Sequence, residues 1–191
     1  TQDATTLNIN ASVALTITAD LNTNNSALTK IDASGSTAAV PLSTSDTDTK
    51  TITLGGGDDV LIRNANAAAD TVIGGDGTDT LKVTTGAGVS STNLANYSGF
   101  ETLEATGADG QTINLSGVTQ FTKLVNSDSV AGTTAFSNVG SGVTTLAITV
   151  ADGSNENTSL TLAANTTADS IKVDIGPAGT STTAVAMGTL T

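Results

Sequence analysis

The chain has 191 residues and carries 18 acidic against 6 basic side chains, which gives a net charge of −12 and an isoelectric point near 4.1. This charge argues against a nucleic-acid surface, because such a surface needs clustered lysine and arginine. The sequence has no cysteine and no histidine, which argues against disulfides, zinc, haem and iron–sulfur sites, and histidine-based catalytic triads.

Short alternating segments occupy the N-terminal part of the chain. Apolar residues alternate with Thr, Ser, Asn or Asp at residues 5–10, 12–18 and 27–34. This period of two is typical of strands with one buried face. Because only 2% of the residues are aromatic, the apolar positions are mainly Ala, Val, Leu and Ile. Thin layers of such small side chains favour a narrow solenoid.

A nine-residue glycine-rich motif follows. Residues 74–82 read Gly-Gly-Asp-Gly-Thr-Asp-Thr-Leu-Lys and match in full the calcium-binding β-helix repeat G-G-x-G-x-D-x-U-x. A second copy at 54–62 lacks only the first glycine, and a weaker third copy at 65–73 keeps only the aspartate and the apolar position. A tight hairpin turn explains one Gly-Gly-Asp-Gly sequence, but it does not explain a recurring nonapeptide.

The spacing of these copies predicts a calcium site. In a β-roll, successive turns fall on opposite edges, so the turns at 54–59 and 74–79 are expected to stack on one edge. Neighbouring strands are about 4.8 Å apart, and calcium takes oxygen ligands at roughly 2.3–2.6 Å. We therefore expect one calcium ion between Asp59 and Asp79, with both carboxylates as ligands. The opposite edge has only Asp70 and no glycine, so we expect no ion or a weak one there.

Further ligands are expected from the same two turns. Glycine adopts the positive φ that directs carbonyl oxygens toward an ion. The additional candidate metal ligands are four glycine carbonyls and two neighbouring carboxylates: Gly55, Gly57, Gly75, Gly77, Asp58 and Asp76. The acidic balance of the chain agrees with a bound cation, because the cation offsets repulsion among carboxylates.

A second repeat of about 21 residues continues toward the C-terminus. Leu103, Leu124 and Leu146 follow one another at intervals of 21 and 22 residues. Further strands are predicted between and after them, at residues 112–115, 133–136, 159–162, 170–175 and 183–187. Two short strands per period predict an all-β fold, a parallel β-solenoid of the β-roll or β-helix type. A two-sheet sandwich remains the competing architecture.

The pattern divides the chain into four parts. Residues 1–50 hold N-terminal solenoid strands, and 51–84 hold the glycine-rich coils. Residues 85–99 form an inserted loop or strand, with one helical turn expected near 94–101. Residues 100–191 form irregular solenoid coils that we expect to continue beyond the chain. The chain does not begin with methionine, and we expect it to be a segment of a longer protein.

Two features together resemble RTX-type surface-layer proteins of Gram-negative bacteria. One is the pair of nonapeptides. The other is the run of Thr-, Ala- and Gly-rich coils with Gly-Phe-Glu-Thr-Leu-Glu-Ala-Thr at 99–106, which is similar to a strand common in that family. The resemblance implies a secreted, calcium-dependent β-solenoid, exported by a type I secretion system, that self-associates into a lattice on the cell surface. It also implies attachment to a cell-surface glycan or lipopolysaccharide through other parts of the protein.

A module of a large RTX adhesin is the alternative function. Such a module would bind cells or surfaces through open loops, and residues 22–26 and 152–157 are the candidates. No apolar run approaches the roughly 20 residues that a membrane-spanning helix needs. We therefore expect neither membrane insertion nor a nucleic-acid partner.

Catalysis is the third class of function. Some β-helical enzymes act on polysaccharides with paired carboxylates, and the candidate pairs here are Asp58 with Asp59 and Glu101 with Glu104. Calcium explains the first pair better. The second pair has no aromatic platform for a sugar apart from neighbouring Phe100 and Tyr97. We therefore expect that the chain is not an enzyme.

Overall fold

The computed structural model of the chain describes most of its residues. The described ranges are 4–17, 21, 27–44, 50–63, 70–84, 90–107, 112–128, 131–149, 156–164, 169–176 and 185–187. The predicted loop at 22–26, most of the one at 152–157, and residues 65–69 of the third nonapeptide lie outside these ranges. No helix within them is long and apolar enough to cross a membrane.

The described ranges contain sixteen short strands and one helical turn. The strands are β1 (Thr6–Asn8), β2 (Lys30–Asp32), β3 (Pro41–Thr44), β4 (Thr51–Thr53), β5 (Val60–Arg63), β6 (Thr71–Ile73), β7 (Thr80–Val83), β8 (Tyr97–Ser98), β9 (Thr102–Ala105), β10 (Thr112–Asn114), β11 (Lys123–Asn126), β12 (Gly132–Val139), β13 (Thr145–Ile148), β14 (Glu156–Leu162), β15 (Lys172–Ile175) and β16 (Val185–Met187). The helical turn is α1 (Ser91–Leu94). All pairings between these strands are parallel, so the predicted parallel β-solenoid is confirmed.

From β3 onward, the chain alternates between sheets. The odd-numbered strands from β3 to β15 form one seven-stranded sheet, here called the long sheet. The remaining strands form a five-stranded N-terminal sheet, in the order β1-β2-β4-β6-β8, and a four-stranded C-terminal sheet, in the order β10-β12-β14-β16. Each coil therefore gives one strand to the long sheet and one to a shorter sheet. Where the shorter sheets change over, the Gln120 side-chain amide donates to the carbonyls of Leu94 and Tyr97, at 3.1 Å each.

The core is built from columns of apolar residues that occupy the same position in successive coils. In the long sheet, one column runs through Leu61, Leu81, Leu103, Leu124 and Leu146 in direct register. All five side chains are fully buried. The spacing of leucines in the sequence therefore equals the number of residues in one coil, because strands that stack in register place equivalent residues directly above one another.

Most of the predicted strands are present. The second-strand segments predicted at 112–115, 133–136 and 159–162 are β10, β12 and β14, and they pair with one another in one sheet. The strand predicted at 12–18 is wrong where the structure describes it, because residues 12–17 contain no strand. That segment runs beside the edge of the solenoid instead, where the Leu15 N–H donates to the Ala39 carbonyl at 3.2 Å.

Two local features differ from expectation. The helical turn lies at Ser91–Leu94, before the predicted position, because the Ser90 hydroxyl caps it by accepting from the Asn93 N–H at 3.1 Å. β3 was not predicted, since it begins at Pro41 and proline donates no hydrogen bond to a sheet. Proline is tolerated as the first residue of a strand, and its neighbour Leu42 is buried in the core.

Candidate metal centre

The two glycine-rich turns stack directly on each other, as their spacing predicts. They connect β4 to β5 and β6 to β7, so both lead from the N-terminal sheet to the long sheet. An isolated parallel bridge pairs Gly56 with Asp76. The Asp76 N–H donates to the Gly55 carbonyl at 2.9 Å, and the Gly57 N–H donates to the Asp76 carbonyl at 3.0 Å. The main chains of the two turns are therefore hydrogen-bonded to each other.

Glycine makes this close stacking possible. Gly57, Gly75 and Gly77 have φ values of +117°, +109° and +130°, in the region that disfavours other residues. A Cβ atom on Gly75 would lie 2.0 Å from the Gly55 oxygen, and one on Gly77 would lie 2.3 Å from the Gly57 oxygen. The carbonyls of Gly55 and Gly57 thus lie against the following turn, where a side chain would collide with them.

A column of carboxylates runs along the same edge, formed by Asp59, Asp79 and Glu101 in successive coils. The Val40 N–H donates to Asp59 Oδ1 at 2.6 Å. The Asp59 N–H donates to Asp79 Oδ1 at 2.8 Å, and the Asp79 N–H donates to Glu101 Oε2 at 2.8 Å. Each carboxylate therefore satisfies a main-chain N–H of the preceding coil at the point where strand pairing stops.

This carboxylate column is electrostatically strained. The side chains of Asp59 and Asp79 are fully buried, and burial raises the pKa of both. For Asp79 the pKa rises to about 6, chiefly through burial, and the negative charges of Asp59, Glu101 and Asp58 add to the effect. The charged groups that act on Asp79 are thus all acidic, and the column favours a proton or a cation.

The two buried aspartates differ in how their oxygens are used. In Asp59, both oxygens accept main-chain hydrogen bonds, because Oδ2 accepts from the Gly55 N–H at 3.3 Å. In Asp79, Oδ2 is buried and has no hydrogen-bond partner. A buried carboxylate oxygen without a donor is costly, and it is the kind of ligand that calcium prefers. A calcium ion therefore fits Asp79, while the Asp59 carboxylate is occupied by N–H groups.

The other predicted ligands lie around this centre. Asp58 and Asp76 are exposed at the outside of the turns, and Asp58 Oδ1 accepts from the Thr78 N–H at 2.9 Å. Within the described ranges, no three acidic side chains converge as a preformed metal cage. An ion at this edge would therefore take much of its coordination from main-chain carbonyls and water, as calcium often does.

On the opposite edge, Asp70 already has a basic partner. Arg63 and Asp70 form an ion pair at 2.5 Å with both side chains fully buried, and the Tyr97 hydroxyl donates to Asp70 Oδ2 at 3.0 Å. The motifs in the sequence do not single out Arg63. A signal was present, because Arg63 falls two residues after the inward-facing Leu61 and so occupies a core position of β5.

Glu101 and Glu104 have separate environments. Glu101 belongs to the carboxylate column, whereas Glu104 Oε1 accepts from Lys82 Nζ at 2.6 Å. The Ser127 hydroxyl also donates to Glu104, at 2.5 Å. The sequence indicates Glu101 only as half of a candidate catalytic pair and does not predict its place beside Asp79. The signal available was its position after Gly99, in the turn that follows the two nonapeptides.

Comparison with known proteins identifies no family for this chain. No protein-family model matches the chain, and no curated protein or solved structure matches it significantly. The function therefore has to be argued from the residues and their geometry.

Proposed function

We propose that the chain is a calcium-stabilised β-solenoid segment of a secreted bacterial surface layer. The observation that carries the calcium part is the buried, unpartnered Oδ2 of Asp79 within an all-acidic column. Asp79 would hold the ion together with carbonyl oxygens of the glycine turns, and Asp59 is the other predicted ligand. When bound, calcium supplies the positive charge that offsets the repulsion within the column.

The chain's own residues explain why such an ion would matter for stability. The core consists mainly of Leu, Val, Ile and Ala with few aromatic side chains, and the sequence has no cysteine to provide disulfides. Buried apolar area per coil is therefore limited. A buried acidic column works against this small gain, since like charges repel. In a solenoid each coil is held in place only by the coils next to it. Neutralising the carboxylate column strengthens the contacts between the glycine-rich coils, and the coils on either side depend on those contacts.

The surface-layer part rests on the sequence resemblance and on the character of the surface. The nonapeptides and the segment at 99–106 are the residues that resemble surface-layer proteins. Outward positions of the N-terminal sheet include exposed Thr51 and Thr71, which stack in register. Among the described residues, the large apolar side chains that are exposed are Val13, Ile73 and Ile175. A repetitive polar surface of this kind suits a structural protein that assembles by self-association outside the cell.

Electron microscopy of the full-length protein tests this proposal. We expect two-dimensional sheets in millimolar calcium and dispersed particles after chelation, because the ion stabilises the coils from which the lattice is built. Sheets that persist in chelator would contradict a calcium-dependent lattice. Particles that never form sheets in calcium, but that coat cells or surfaces, would favour the adhesin function instead.

A further inference from the structure

We propose that the cation binds on the C-terminal side of Asp79, between the turn at 74–79 and the turn at 99–101, with Glu101 as its second carboxylate. This inference rests on the proposed calcium dependence and moves the site away from the space between Asp59 and Asp79. The class of ligand is a hard divalent cation that prefers oxygen, and calcium is the probe for it.

The space between Asp59 and Asp79 is unsuitable for a cation. Both Asp59 oxygens accept main-chain N–H groups, from Val40 at 2.6 Å and from Gly55 at 3.3 Å. The Asp59 N–H points at Asp79 Oδ1 at 2.8 Å. Both carboxylate oxygens of Asp59 are therefore already in use, so an ion bound to them would have to displace a main-chain hydrogen bond.

The other side of Asp79 offers an unpartnered carboxylate oxygen close to a main-chain carbonyl oxygen. Asp79 Oδ2 is buried and unpartnered. A Cβ atom on Gly74 would lie 2.6 Å from this oxygen and 1.9 Å from the Gly99 carbonyl oxygen. A carboxylate oxygen and a carbonyl oxygen therefore approach the same face of Gly74. A Cβ atom on Gly99 would lie 3.3 Å from the Gly75 oxygen, 2.9 Å from the Gly75 nitrogen and 3.3 Å from the Gly74 nitrogen, so the two turns are in close main-chain contact.

Glu101 brings the second carboxylate to this group of oxygens. Its Oε2 accepts from the Asp79 N–H at 2.8 Å, so the side chain extends over the preceding turn. Glu101 is partly buried, and its negative charge acts directly on Asp79. The site therefore comprises Asp79, Glu101 and the Gly99 carbonyl, and water completes the six to eight ligands that calcium takes.

The geometry of the carboxylate column explains why this position holds a glutamate where the preceding coils have an aspartate. Asp59, Asp79 and Glu101 occupy equivalent positions, since each accepts the N–H of the preceding coil. The turn at Glu101 is shorter than a nonapeptide turn, because it contains only Gly99 and Phe100 between β8 and Glu101. The longer glutamate side chain reaches the same column from this shorter turn. A turn outside the repeat thus completes the site.

Calorimetric titration with calcium tests this position. Glu101→Gln keeps an oxygen for the Asp79 N–H but removes the charge, and we expect calcium affinity to fall about tenfold or more. Glu104→Gln is the matched control, since it removes the same charge from a side chain paired with Lys82. For this control we expect affinity within about twofold of the unmodified chain, because Glu104 lies outside the carboxylate column, Lys82 offsets its charge and salt screens the remainder.

A second variant separates ligation from general attraction. Glu101→Asp keeps the charge but shortens the side chain, so it weakens binding if Glu101 touches the ion and leaves binding unchanged if it acts only at a distance. Saturable binding that none of the Glu101 variants alters would overturn this position and leave calcium dependence standing. No saturable binding by the unmodified chain would overturn both.

Discussion

Arg63 and Asp70 form a fully buried ion pair at 2.5 Å inside the solenoid. The Thr44 hydroxyl accepts from Arg63 Nη1, and the Tyr97 hydroxyl donates to Asp70. One edge of the glycine-rich coils is thus neutralised by a side chain of the protein. On the other edge, the charged groups that act on Asp79 are all acidic. This contrast explains why a cation is proposed at Asp79 and not at Asp70.

Removing the buried arginine should be strongly destabilising. Arg63→Met leaves the Asp70 carboxylate buried without its cation, and we expect the free energy of unfolding to fall by about 3–5 kcal/mol. Urea denaturation measures this change. Lys172→Met is the control, because Lys172 and Asp174 form an exposed pair that contributes about 0–1 kcal/mol. Similar small losses in both variants would mean that the Arg63 pair does not hold the coils together.

The stability of the calcium-free chain should decrease as the pH rises through about 6. The folded state raises the pKa of Asp79 from its usual 3.8 to about 6. Protonation therefore favours folding, and this stabilisation is complete below pH 3.8 and lost above pH 6. We expect a loss on the order of 2 kcal/mol between pH 4 and pH 7. Thermal melts in chelator measure it.

Calcium provides the check on this pH dependence. Calcium binds the deprotonated carboxylate, so millimolar calcium should flatten or reverse the decrease above pH 6. Asp32 does not contribute to the change in stability near pH 6, because its pKa is lowered to about 2, mainly by the Ser34 hydroxyl that donates to it. A melting temperature that rises from pH 4 to pH 7 in chelator would contradict the buried acidic column.

The glycine turns should tolerate substitution only where the neighbouring coil leaves space. Gly75→Ala has both a φ of +109° and a Cβ position 2.0 Å from the Gly55 oxygen. We expect it to cost about 3 kcal/mol or more. Gly117→Ala is the matched control. Gly117 also has a positive φ, +74°, but no neighbouring atom lies within 4 Å of the position that its Cβ would take. We expect about 1 kcal/mol there, and equal costs would argue against the stacking.

The repeat made most of the fold predictable from the sequence. Stacking in register requires a constant coil length, so the spacing of Leu103, Leu124 and Leu146 predicted a solenoid of stacked coils. Residues 27–34 show the same alternation as these strands, yet β2 belongs to the N-terminal sheet. Both kinds of strand show the same alternation of apolar and polar residues. Alternation reports which face is buried but not which sheet a strand joins.

The site was predictable only in part. The nonapeptide spacing placed Asp59 beside Asp79, because both belong to the same repeat. It did not predict which carboxylate oxygens accept main-chain N–H groups, since that depends on how far each turn shifts along the stack. It also did not predict Glu101, which lies in a turn without the motif. Side-chain hydrogen bonding between coils is a tertiary property that a repeat pattern does not contain.

Asp79→Asn should separate the carboxylate's structural role from its role in binding calcium. The asparagine oxygen still accepts from the Asp59 N–H, while its NH₂ group replaces the unpartnered Oδ2 and removes the buried charge. In chelator at pH 7.5, we expect the melting temperature to rise by about 2–5 °C. Adding calcium should not raise the melting temperature of this variant. Thermal melts with and without calcium measure both effects.

Asp76→Asn is the control for this variant, because Asp76 lies exposed in the same turn. It removes the same charge, but its side chain lies outside the buried carboxylate column. We expect its melting temperature and its response to calcium to stay close to those of the unmodified chain. If Asp79→Asn were less stable in chelator, the buried charge would not be the strained element of the turn. If it kept its calcium response, the ion would bind without this carboxylate.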